Sequence, residues 1–133
     1  MSYLKSRILS VWEDTKKAKS ELESFLTLRE YFKSPSADLL IKSDPQIAEI
    51  KLVVEAYNEA LHLYRQGLAI SYNAKDLEDK NPQAEAEIAR LYEEAEQKLT
   101  EALQVLSEVG LVKGALYFAI ISALSNIPVE AKR

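Results

Sequence analysis

Apolar residues recur at alternating steps of three and four along nearly the whole chain, and almost nothing interrupts them. From Leu4, the series Leu4, Ile8, Val11, Thr15, Ala18, Leu22, Phe25, Arg29 and Phe32 falls on one stripe of one helix. A second series, Ile47, Ile50, Val54, Tyr57, Leu61, Tyr64 and Leu68, repeats the pattern, and a third runs through Ile88, Tyr92, Ala95, Leu99, Ala102, Leu106 and Val109. Only three glycines and four prolines occur in 133 residues, too few to make the turns of a many-stranded sandwich or barrel. The chain therefore reads as all-α.

Proline places the breaks. Ser34-Pro35 ends the first series, because proline disfavours a helical conformation in the residue before it. Ser43-Asp44-Pro45 and Asn81-Pro82 each offer a capping side chain followed by a residue suited to the first helical position. The expected helices cover about residues 2–33, 45–74, 82–109 and 111–126, with a short helical turn at 36–42 and a polar loop at Lys75–Lys80. Gly110 closes the third helix, and the following segment is apolar on almost every side, as for a helix covered by neighbours. Ala115, Ala119 and Ala123 form a thin ridge on it, suited to close packing. The expected architecture is a single domain, an up-down-up-down bundle of three long helices and one shorter C-terminal helix.

A short last helix leaves one end of such a bundle without its fourth wall. The residues at that end are Tyr3, Leu4, Ile8, Val11, Trp12, Leu68, Tyr72, Ile88 and Tyr92. Exposing large apolar side chains forgoes roughly 1.5–3 kcal/mol each, so a cover is expected, either the segment Ile127-Pro128-Val129 or a second chain. The second chain is favoured, which makes Tyr3, Ile8, Trp12, Leu68, Tyr72, Ile88 and Tyr92 the candidate interface of a homo-oligomer or protein–protein complex.

Catalytic signatures are missing. Without cysteine there are no thiolate zinc ligands and no cysteine nucleophile. Glu59-Ala60-Leu61-His62 has the Glu-x-x-His spacing of di-iron proteins, but that site needs the motif twice and His62 is the only histidine. Helical geometry also turns Glu55, Glu59, His62 and Gln66 away from the apolar stripe. No serine lies in a nucleophile elbow, and Gly67, Gly110 and Gly114 never cluster into a phosphate-cradling loop. The expectation is a non-enzymatic association or adaptor module with no catalytic residue, metal, cofactor or small-molecule substrate.

Charge supplies the alternative reading. The chain carries a net charge of −4. Residues 76–108 hold ten acidic side chains against three basic ones, while Lys5, Arg7, Lys16, Lys17 and Lys19 make the first segment locally basic. Those five would contact phosphates if the protein were an accessory subunit of a nucleoprotein complex, though the global charge lacks the footprint of nucleic-acid binding. Arg29 is expected to bury its stem and extend its head toward water or a carboxylate. The tracts Tyr57-Asn58-Glu59-Ala60 and Tyr92-Glu93-Glu94-Ala95, 35 residues apart, resemble a tetratricopeptide pattern, but two uninterrupted long helices do not make a stacked array. The start Met1-Ser2-Tyr3-Leu4-Lys5 has no continuous apolar core, and the apolar run Ala115–Ile121 is too short for a membrane span. A cytoplasmic protein is expected, and abundant Glu and Lys with one Met and no Cys suit a hot environment.

Overall fold

The computed structural model describes residues 3–17 and 20–128. Among them are six helices and no strand: α1 (Tyr3–Lys16), α2 (Glu21–Phe32), α3 (Pro35–Ser43), α4 (Pro45–Lys80), α5 (Glu85–Glu108) and α6 (Ala115–Ser125). The chain divides into two compact units, residues 1–58 and 59–133, with the boundary inside α4.

In the first unit, the helix expected over 2–33 is broken in two. α1 ends at Lys16, Ser20 adopts a left-handed conformation with φ 48°, and α2 packs back against α1. The reversal falls where the apolar stripe is weakest, because Thr15 and Ala18 are its only members between Val11 and Leu22. Ser20-x-x-Glu23, with Glu21 and Glu23 in the first turn of α2, is a sequence signature of a helix start. The left-handed Ser20 nevertheless makes no side-chain capping bond. The turn expected at 36–42 forms as α3, which packs on α1 and α2. Ile8, Phe25, Leu28, Ala37, Ile47, Ile50 and Val54 fill the interior, and Phe25 stacks on Tyr57 with ring centroids 4.0 Å apart.

Asp44 fixes the start of α4. Its Oδ1 accepts a hydrogen bond from the Gln46 backbone N–H at 3.0 Å, and its Oδ2 pairs with Lys5 Nζ at 2.5 Å. Ser43, the other capping candidate, instead donates its hydroxyl to the Leu39 carbonyl at 2.9 Å. The Lys5 ammonium, aided by the Gln46 and Ile47 amides, holds the Asp44 carboxyl below its usual range.

In the second unit α4 runs on to Lys80, six residues past the expected end. The segment Lys75–Lys80 is helical because it contains no breaker and gains an Asp76–Lys80 ion pair at 3.0 Å. Asn81 thus terminates α4, its N–H bonding the Leu77 carbonyl at 2.7 Å, and α5 begins at Glu85 and not at Pro82. The α5 stripe is the expected one: Ile88, Tyr92, Ala95, Leu99, Ala102 and Leu106 are buried. On α4, Ala60, Leu63, Gly67 and Ala74 are buried while Tyr64 and Leu68 are half-buried. At Gly67 α4 and α5 approach closely. A Cβ there would sit 2.8 Å from Leu99 Cγ and 3.3 Å from the Ala95 carbonyl oxygen.

Gly110 ends α5 with φ 76°. The Leu111 N–H bonds the Leu106 carbonyl at 2.9 Å and the Gly110 N–H bonds the Ser107 carbonyl at 3.1 Å, the two bonds of a Schellman turn. α6 starts at Ala115, later than the 111 expected, and packs on α5 through Leu116 and Ile120.

Two outcomes test this account. Gly67→Ala gains about 1 kcal/mol of helix propensity but brings a Cβ within 2.8 Å of the fully buried Leu99 and 3.3 Å of the Ala95 carbonyl oxygen, so urea titration is expected to show a net loss of about 1–2 kcal/mol. Partial recovery in Gly67→Ala/Leu99→Val identifies overpacking as the cause. A lowered Asp44 pKa contributes stability that is present above the normal carboxyl range and lost as pH falls through the folded value. Asp44→Asn keeps a capping acceptor but is expected to flatten the fall in melting temperature below about pH 4, read by circular dichroism.

Candidate functional site

The seven residues expected to form one apolar interface do not share a common fate. Ile8, Ile88 and Tyr92 are buried, correcting the expectation that they lie open. Trp12 and Leu68 are half-buried, and Lys16 Nζ lies 5.9 Å from the centre of the Trp12 ring. Tyr3 and Tyr72 are exposed, at 74% and 66%. Tyr3, Ile8 and Trp12 belong to the first unit and the other four to the second. Ile88 and Tyr92 come together with this chain's own segment after α6: Ile127 is buried and Pro128 lines the same groove as both residues. Val129 lies outside the described residues.

The basic cluster is partly engaged within its own unit. Lys5 pairs with Asp44. Arg7 donates to the Tyr31 hydroxyl at 3.1 Å and to the Tyr3 hydroxyl, and its guanidinium lies 5.1 Å and 5.6 Å from the two ring centres. These tyrosine contacts push the Arg7 pKa up. Lys16 reaches Glu13 at 3.5 Å, Lys17 is exposed and Lys19 lies outside the described residues. Arg29 is exposed on α2, as is His62 on the outer side of α4. Among the described residues no group of three or more metal-ligating side chains converges. None of their helices is long and apolar enough to cross a membrane.

Two surfaces of the second unit escape the sequence pattern. The first is the outer side of α6. Instead of being covered all round, this helix leaves Phe118 57% exposed and Ile121 partly so, with Val112 exposed just before it. The alanine ridge is not its packing face, since Ala115 is exposed and Leu116 and Ile120 are buried. At 100° per residue Phe118 lies about 160° from both, but a helix without a charged residue marks its outer side only weakly, through Ser122 and Ser125.

The second is a groove of about 520 Å³ where α4 turns into α5. Buried Ile88 and Tyr92, with Ala89, Pro82 and Pro128, give it an apolar lining, and the exposed Glu78 and Glu85 line it as well. Tyr92 is only 5% exposed, and its hydroxyl has no hydrogen-bond partner among the described residues. Burial, followed by the nearby Glu78 and Asp79 charges, raises its pKa. The neighbouring cations are turned elsewhere: Lys80 pairs with Asp76, and Arg90 pairs with Glu87 at 2.7 Å and Glu94 at 3.4 Å. The sequence signal for this site was an Asn-Pro turn with carboxylates on both sides of it.

No family model matches this chain, and comparison with curated proteins and with solved structures yields no match.

An unpartnered hydroxyl contributes nothing to folding. Tyr92→Phe is therefore expected to leave the melting temperature at neutral pH unchanged or slightly higher. The raised pKa of Tyr92 gives stability that is fully present below the ordinary value of 10.0 and lost above it, so the same variant is expected to flatten the alkaline decline in a pH series of thermal melts.

Proposed function

We propose that this protein is a non-enzymatic helical association module that pairs with a second copy of itself through the outer face of α6. The observation that carries this reading is the exposure of Phe118 and Ile121 on a helix with no charged residue. An isologous pair sets a patch against its own copy across a two-fold axis, and a charge near that axis would meet its own like charge. A face without charges avoids that repulsion, and small Ala115 and Ser122 beside Phe118 let two helix backbones come close. A partner's α6 would cover the apolar face that α6 turns to solvent.

The alternative, phosphate contact through the basic first segment, has less support. Lys5 pairs with Asp44 and Lys16 with Glu13, which leaves fewer uncompensated cations than the sequence suggests.

Sedimentation across a concentration series tests the proposal. The wild type is expected to shift from monomer toward dimer. Phe118→Glu should raise the dissociation constant by about 30-fold, the effect of an interface anchor worth about 2 kcal/mol, with unchanged helical content. Because the contact is apolar, the association is expected to hold between about 50 mM and 500 mM salt. A wild type that stays monomeric at about 0.1 mM, or a Phe118→Glu variant that dimerises equally well, overturns the reading.

A further inference from the structure

We infer that the groove between the end of α4 and the start of α5 binds the arginine side chain of a basic peptide segment carried by a protein partner. This site is independent of the α6 face. Three features converge on such an occupant. Much of its lining is apolar, supplied by Ile88, Ala89, Pro82 and Pro128, and fits the methylene stem of a long side chain. Its rim carries Glu78 and Glu85, with Asp79 close by, and none of these has an ion-pair partner among the described residues. Its lining also includes Tyr92, a residue 5% exposed whose hydroxyl has no hydrogen-bond partner among the described residues.

The chemistry of these groups is complementary to one kind of ligand. Carboxylates only accept hydrogen bonds, so a multidentate cation satisfies them. A guanidinium is planar, presents five donors and is more weakly hydrated than an ammonium, which suits a rim of two carboxylates over an aromatic ring. The neutral Tyr92 hydroxyl is a donor, and a peptide supplies what a simple polyamine does not, a backbone carbonyl to accept from it. An anion is disfavoured. Glu85 and Glu87 already occupy the first turn of α5, where a helix N-terminus would otherwise attract one.

The test is a titration of the full-length protein, followed by amide NMR shifts, with a glycine pentapeptide bearing one central arginine and with its citrulline counterpart. Saturable shifts within residues 78–92 are expected for the arginine peptide, and none for citrulline, which has the same shape without the charge. Glu78→Gln/Glu85→Gln is expected to weaken binding by at least about tenfold, while Glu93→Gln/Glu101→Gln, which removes the same charge from exposed positions elsewhere on α5, changes it by less than about twofold. Tyr92→Phe should weaken it by about three- to tenfold without loss of stability. Equal binding of the citrulline peptide, equal weakening by the two glutamate pairs, or shifts spread along the outer face of α5 overturns the inference. So does displacement of the peptide by spermidine at an equal or lower concentration, which would assign the groove to a free polyamine.

Discussion

The second unit depends on a close approach of two helices at one glycine. Where α4 passes α5, Gly67 leaves no room for even a methyl group beside Leu99 and the Ala95 carbonyl. Interhelical distance is set by the side chains at the contact, so a glycine opposite a leucine draws the backbones together. Ala60, Ala74, Ala95 and Ala102 continue the same economy of volume along the two buried stripes. A four-residue connection, Asn81–Ala84, closes the hairpin, and the groove with Tyr92 lies at that closed end. The geometry of the site follows from how tightly the rods are held above it.

Long, strongly periodic segments were legible in the sequence. The α5 stripe was readable residue by residue, because small and large apolar side chains alternate against a polar background there. The start of α4 was legible because a capping aspartate followed by proline has a direct physical meaning, and Asp44 does cap the helix. His62 faces outward, as helical geometry required. What failed was local punctuation without proline or glycine. Periodicity alone carried the first stripe straight through Lys17–Ser20, where the chain reverses at a left-handed serine. Conversely, a run of charged residues at Lys75–Lys80 looked like a loop but contains only residues a helix tolerates.

The candidate site was less readable than the fold, for the same reason in both of its parts. Periodicity tells which residues share a face but not whether that face finds a neighbour. Ile88 and Tyr92 were singled out as large and unpartnered; both are buried, and Pro128 lines the same groove as they do. Phe118 and Ile121 were passed over because α6 offers no charged residue to mark its wet side. Charge was similarly ambiguous. The surplus of acids along residues 76–108 becomes informative only once Arg90 and Lys80 are seen to neutralise Glu87, Glu94 and Asp76, leaving Glu78 and Glu85 uncompensated at the groove.

The uncharged outer side of α6 carries a thermal consequence. Attraction between oily surfaces near room temperature arises chiefly from the entropy of released water, and it fades in the cold. Contacts dominated by Phe118 and Ile121 would loosen on ice and tighten on warming, the reverse of what hydrogen-bonded or ionic joints do. Under the proposed pairing, chilling the protein would shift it toward the monomer.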